Sequence, residues 1–505
     1  MNVPAVGDLA LLLPETALAI GLCVVLARDL APGRGPARLA TWLGIATCLV
    51  ATLLALPSSA GAVGPLAIDS MTGMARVATG ALTALLLVAS LGERRSAKDR
   101  DDGAFTALVL SLALGCLLTA SSTHLLTLWL GLELIALPSY VLVAWRPGDS
   151  RAAEAGMKFV LFSGACSAVM AFGISHVYGI TGSLDIATAL SVIARDSGSL
   201  GNSGSLGLGA LCLVAVGLAA KLTLAPFHFY APDVYQGAPS LCVAAVSGAP
   251  KIAAACALLR AVHMMGSDAF ALGMTTLLAV VAASSVVFAA LTALVQRDAK
   301  RILAFSGIGH GAVVVLAIGC TPGSSLGSAL GSSLGSSLGG DAAGAAAFYL
   351  LAYVPANLGA FVCLSVLENA RGSASLLDLA GAGKRQPVVT GLLCLFLASL
   401  AGVPPLAGFL GKWNVLQVAF ARGLAPDSVP ALAATALLLV VATAVAAWSY
   451  LLIVRAVAFA DAPVDGERPA VRPALATVVV LALCALGTLV GGLWLSGAGV
   501  LARAM

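Results

Sequence analysis

Charge is what this sequence has least of. Of its 505 residues only 10% are Asp, Glu, Lys or Arg, while 60% are hydrophobic and mean hydropathy is +1.02. A soluble fold of this length needs about a quarter of its residues charged to cover its surface. A water-soluble enzyme or binding module is therefore excluded, and the solvent is lipid. The formal net charge of +4 is small and dispersed. With no basic cluster, nucleic acid is excluded as a partner. The eleven cysteines never approach CxxC or CxC spacing. Metal and iron–sulfur sites need clustered thiolates, so these read as small apolar packing residues. No Lys or Arg precedes Arg28, the reverse of a secretory signal's charge order. The first apolar run thus reads as an uncleaved spanning helix that starts outside.

What is present is a series of apolar runs. Crossing about 30 Å of hydrocarbon takes about 20 residues. On that measure the chain has fourteen spans, near 9–27, 38–56, 70–91, 104–121, 124–145, 155–178, 206–226 (continuing brokenly to 240), 241–263, 270–294, 301–320, 343–367, 388–420 (broken), 430–457 and 474–497. Basic residues test the count, because they collect on the inner loops. Nineteen fall on one set of alternate loops, while Arg195, Arg260, Arg422 and Arg503 fall on the other. Both termini are then expected outside, with residues 228–240 near the inner face. Two longer loops stand out. Residues 180–205 are rich in Gly and Ser and read as a flexible outer loop, and residues 320–342 repeat Gly-Ser-Ser-Leu as a linker of poor order.

Two spans are interrupted by proline, at Leu224-Ala225-Pro226-Phe227-His228 and at Gly402-Val403-Pro404-Pro405. Proline removes a backbone donor and clashes with the carbonyl four residues earlier, so Pro226 frees the carbonyl of Leu222 and Pro405 that of Ala401. Freed groups survive at membrane depth only beside protein or water. The two breaks lie five spans apart, an odd number of crossings. Spans 4–8 and 9–13 therefore read as inverted repeats, each with a discontinuous helix, as in ion and substrate transporters.

Four ionisable residues sit inside spans near prolines: Glu133, Lys221, Lys251 and Lys412. A lysine at the centre of a spanning helix costs roughly 2.5 to 3.5 kcal/mol to insert, which makes each a candidate functional residue. Buried lysine can titrate and arginine cannot, so the set suits a proton relay. The alternative for Glu133 with Lys221 is a structural staple, and for Lys412 a side chain snorkelling to an interface. Arg76 reads as a snorkelling anchor or interhelical tie, and Glu15 and Asp69 as interfacial. His310 either passes protons or bonds a neighbouring helix. His228 either lines a water path or caps the break. His124, His176 and His263 lie near span ends and read as solvated.

Several stretches together resemble the antiporter-like subunits of respiratory complex I, the proton-translocating NADH–quinone oxidoreductase. They are Leu132-Glu133-Leu134-Ile135-Ala136-Leu137-Pro138-Ser139-Tyr140, Lys221-Leu222-Thr223-Leu224-Ala225-Pro226-Phe227-His228, Gly248-Ala249-Pro250-Lys251, Lys300-Arg301-Ile302-Leu303-Ala304-Phe305-Ser306 and Gly402-Val403-Pro404-Pro405-Leu406-Ala407-Gly408-Phe409. Among the family's three large homologues the chain looks most like subunit N. It ends soon after span 14 without a long lateral helix, and span 12 carries Lys412 rather than glutamate. The Gly-Ser-Ser-Leu tract is a departure from the family.

The resemblance implies an all-α polytopic membrane protein of about fourteen transmembrane helices. It comprises a three-helix segment (1–100), a first antiporter-like repeat (101–264), a second inverted repeat (265–458) and a C-terminal helix (459–505). It also implies a site in which Glu133 and Lys221 form the input pair, Lys251 the central relay and Lys412 the exit group. The chain would pump protons as one subunit of a translocase in the bacterial cytoplasmic (inner) membrane. It would bind no cofactor itself, with NADH, FMN, iron–sulfur clusters and quinone held by partner subunits. Two other classes stay open: a subunit of a multisubunit cation/proton antiporter or ion-pumping membrane hydrogenase, and a structural membrane scaffold.

Overall fold

Lipid offers no hydrogen-bond partner to the backbone, so an apolar stretch that crosses it must satisfy its own amides as a helix. The computed structural model describes residues 10–31, 38–56, 60–93, 102–197, 202–265, 269–321, 342–425, 429–461 and 473–504. The Gly-Ser-Ser-Leu tract lies almost wholly outside them. All fourteen predicted spans are helical. They are α1 (Leu13–Leu30), α2 (Leu39–Ala55), α3 (Ser70–Leu91), α4 (Asp102–Ser121), α5 (Leu125–Val143) and α6 (Ser150–Thr181); the broken pair α8 (Asn202–Lys221) and α9 (Tyr230–Gly237); α10 (Ser240–His263), α11 (Ala269–Ala293), α12 (Ala299–Gly319) and α13 (Ala342–Arg371); the broken pair α15 (Pro387–Ala401) and α16 (Ala407–Gly423); and α17 (Pro430–Val454) and α18 (Leu475–Ala504). A one-turn helix, α14 (Ala382–Arg385), leads into α15.

Two elements were not expected. A short hairpin, β1 (Gly61–Val63) with β2 (Leu66–Ile68), pairs antiparallel ahead of α3, turning at Gly64 with φ +56. In the loop read as flexible, α7 (Ile186–Ser197) forms. Asp185 accepts from the Thr188 amide at 2.8 Å, and Ile186, Ala189, Leu190 and Ile193 are buried. That is an N-cap followed by an i, i+3, i+4, i+7 stripe, which the surrounding Gly and Ser obscured.

Burial sorts the spans into an inner and an outer set. The central windows of α10 and α12 are each 89% buried and that of α13 83%, against 22% for α1 and 28% for α17. The helix α13 packs against α10, α12, both halves of the second break and α18. Outer helices leave Trp42, Leu437, Val441, Trp448 and Leu451 exposed, as lipid-facing side chains require. The three most buried spans carry Lys251, His310 and two tyrosines, so the polar residues sit where lipid is most completely excluded.

Candidate functional site

At the first break α8 stops at Lys221, Thr223 takes φ +57, and the Ala225–Pro226 peptide is cis. The carbonyl of Leu222 accepts from the Thr223 hydroxyl at 2.7 Å and lies where a Cβ on Gly311 would stand 2.5 Å away. Only glycine on α12 lets this freed carbonyl approach so closely. The Ala225 amide donates to Ser285 Oγ at 2.9 Å, anchoring the break to α11. Lys221 Nζ is buried without a hydrogen-bond partner, 6.0 Å from the Phe159 ring centroid, at the edge of cation–π range. Glu133 is half-buried and accepts from Ser167 Oγ, which in turn accepts from Trp129 Nε1 at 2.9 Å. The carboxylate and the lysine are thus not in contact. His228 is buried against Phe229 and Phe288 with both ring nitrogens unpartnered, so it caps nothing.

The second break answers the first. Gly402 takes φ +89 and Pro404–Pro405 is cis. Lys412 Nζ donates to the carbonyls of Leu400 at 2.8 Å and Ala401 at 3.0 Å. One of these is the carbonyl that Pro405 was expected to free, so the lysine's partner is the broken backbone itself. A half-buried Lys412 held in this way does not snorkel.

A polar cluster runs from Lys251 to the second break. Lys251 is 3% exposed; its amine donates to the Gly307 carbonyl of α12 and sits 5.6 Å from the Tyr353 ring centroid. One turn on, His310 is buried with Nδ1 2.5 Å from the Tyr349 hydroxyl and Nε2 3.4 Å from the Tyr450 hydroxyl. Tyr450 also meets Ser306 Oγ at 2.5 Å. A small cavity lined by His310, Lys412, Ser306 and Tyr450 joins this cluster to the second break. Lys251, His310 and Lys412 are therefore brought together by hydroxyl-bearing side chains, whereas Glu133 lies to one side.

Three buried ionic groups were read otherwise from sequence or passed over. Arg76 donates to Glu15 Oε1 at 2.7 Å, to Glu15 Oε2 at 2.8 Å and to the Leu11 carbonyl at 2.9 Å, so Glu15 is a buried tie rather than an interfacial residue. Glu368 accepts from Lys300 at 3.2 Å, Arg146 at 3.0 Å and Ser240 Oγ at 2.5 Å. Its only sequence signal was an acid at the end of an apolar run. Arg260, counted with the outer loops, is instead buried in α10 and pairs with Asp69 at 2.8 Å. Burial raises the Asp69 carboxyl, but Arg260 and the Thr72 amide outweigh it and hold it below the usual carboxylate range. A lowered folded pKa adds stability above the unfolded value of about 3.9, lost as pH falls through the folded one. The unfolding midpoint of the wild type is accordingly expected to drop more steeply than that of Asp69→Asn as pH is lowered from about 5 to about 3. Parallel acid limbs would refute that contribution.

Two inverted, proline-broken helices around a buried line of lysines define a polytopic membrane protein of the inverted-repeat transporter class. Residues 122–429 match the family model "NADH:quinone oxidoreductase/Mrp antiporter, TM", and the chain belongs to that family. It is 33% identical over 95% of its length to the NADH-quinone oxidoreductase subunit N of Anaeromyxobacter sp. (strain Fw109-5), covering 93% of that protein. Among solved structures it resembles a chain of respiratory complex I from Thermus thermophilus with bound aureothin, with 32% identity, TM-score 0.73 and coverage of 96% of this chain and 99% of that one. A chain of the Mrp complex from Dietzia sp. DQ12-45-1b shares the fold at 19% identity, TM-score 0.75, with 98% and 97% covered.

Proposed function

We propose that this chain is a proton-translocating membrane subunit of an NADH–quinone oxidoreductase, moving protons along a buried Glu/Lys relay while partner subunits carry out electron transfer. The observation that carries this reading is the polar cluster from Lys251 through His310 to the cavity beside Lys412, within the most buried spans, with Lys221 and Lys412 each standing at a helix break. Each lysine can take and release a proton, and each faces either an open carbonyl or an aromatic ring rather than a fixed counter-ion. A lysine clamped in a salt bridge would serve as a staple; these are free to change charge. Glu133, turned to Ser167, is placed to approach and withdraw from Lys221, and that movement would favour or release the Lys221 proton. The carbonyls of Leu400 and Ala401 then hold the charge on Lys412 before release.

The division at 1–100, 101–264, 265–458 and 459–505 follows from the same reading, as does a bacterial inner-membrane location with both termini outside. The basic loop face is then the inner one. NADH, FMN, iron–sulfur clusters and quinone belong on this reading to the other subunits. The 33% identity to an NADH-quinone oxidoreductase subunit N, over 95% of this chain and 93% of that one, favours this function over cation/proton antiport.

Lys221→Ala in the assembled complex is expected to lower NADH-driven proton uptake by inverted membrane vesicles about tenfold or more, the scale of removing a positioned proton-transfer group. Uptake at the wild-type level, with normal complex content, would sink the relay.

A further inference from the structure

The ion cluster around Glu368 is unused by the relay just described, and it opens onto a polar cavity of ≈ 420 Å³ at the basic loop face. Five carboxylates and four cations line that cavity. Such a near-balanced wall favours neither an anion nor a metal cation, but it is polar and roomy enough for water. Glu368 stands at its floor, 4% exposed, and reaches inward to Ser240, the first residue of α10.

From there a second polar line runs toward Lys251 along the contact of α10 and α13. Tyr235 reaches Ser247, and Asn357 Nδ2 donates to Ser247 Oγ at 2.8 Å. One turn beyond Asn357, about 6 Å along the helix, Tyr353 presents a buried hydroxyl with no partner. That hydroxyl and the Lys251 amine border the same small space beside Gly307, where an added Cβ would lie 3.8 Å from one and 2.9 Å from the other. An orphaned hydroxyl beside a buried amine marks room for a hydrogen-bonded bridge. The line is interrupted between Ser240 and Tyr235, which no hydrogen bond joins among the described residues, and Phe361 fills the gap. Phe361 is fully buried, edge-on to Tyr235 at 5.9 Å, and sits between Glu368 and Asn357 on α13. The eleven residues from Asn357 to Glu368 span about 16 Å, so protons cross this dry step only when water enters it.

We infer that Glu368 is a proton-entry residue, feeding Lys251 from the cavity at the basic face along Ser240, Tyr235, Ser247, Asn357 and Tyr353 by a path that bypasses Glu133 and Lys221, while each transfer still requires the change of charge at Lys221. The carboxylate takes a proton from hydronium in the cavity, forming its O–H as water is released, which loosens the hold of Lys300 and Arg146. It then gives that proton to water drawn past Phe361. The neutral amine of Lys251, its previous proton having left toward Lys412, ends as an ammonium and Glu368 as a carboxylate. Lys300 and Arg146 face Glu368 from α12 and the loop after α5 and hold it ionised between transfers.

This inference rests on the proposed pumping function, and its test separates the two. In the assembled complex, Glu368→Gln is expected to lower NADH-driven proton uptake at least fivefold at normal complex content, with Glu368→Asp recovering most of it. A purely structural anion would show instead as loss of assembled complex. Should Glu368→Gln fail to assemble, Asn357→Leu decides, since it breaks the line at Ser247 without touching the ion cluster, and the same fall is expected. Wild-type uptake in Asn357→Leu and in any assembled Glu368→Gln, beside a strong loss in Lys221→Ala, overturns the entry path and leaves the pump standing. Wild-type uptake in Lys221→Ala as well overturns both.

Discussion

Lys251→Met is expected to abolish measurable proton translocation while the complex still assembles. Methionine is unbranched and close in length, so it fills the space without leaving a cavity. The lost interaction is one hydrogen bond to the Gly307 carbonyl, a group that a lone water can satisfy. Structure is therefore spared. Transport is not, because Lys251 is the most buried of the three lysines and its amine sits on the Gly307 carbonyl, one turn from the cluster of His310, Tyr349 and Tyr450. Replacing a proton carrier by a thioether leaves a step that water alone must bridge through a wall of apolar side chains, and losses of about 10² or more are expected for such groups. Coupled NADH turnover should fall with pumping. The measurement is proton uptake and NADH oxidation in the same inverted vesicles, normalised to assembled complex. Uptake near wild type would remove Lys251 from the path.

The second large effect is on stability. Glu15→Ala leaves the Arg76 guanidinium, with 2% of its side chain exposed, without its bidentate partner. Breaking a buried pair by deleting one member costs about 3 to 5 kcal/mol, because an uncompensated charge remains. Removing both is different. Glu15→Ala with Arg76→Met takes both charges out of an apolar surrounding, and such replacements are often neutral. Thermal unfolding of the purified complex should therefore show a deep loss for the single variant and substantial recovery for the double. Equal losses would mean that the pair acts through the Leu11 carbonyl and helix entry instead.

Much of this protein is legible without coordinates. Near-absence of charge dictates lipid as solvent, the 20-residue rule counts the helices, and each predicted span is found within a few residues of its place. Pro226 and Pro405 mark both breaks, and the cost of a charge in hydrocarbon picks out Lys221, Lys251 and Lys412. Pro405 even points to Ala401 as the open carbonyl, which is where Lys412 binds.

What the chain in one dimension does not contain is which charges meet. Glu133 and Lys221 look paired because both are costly alone, yet Ser167 on α6 takes the carboxylate. Glu15 with Arg76 are 61 residues apart, Asp69 with Arg260 are 191 and Glu368 with Arg146 are 222; in each case one member looked interfacial or loop-bound. The insertion cost is a local property, computed residue by residue against lipid, and composition and spacing suffice to read it. Its compensation is a property of packing, because only the arrangement of fourteen helices decides which partner stands opposite each charge and where water is let in.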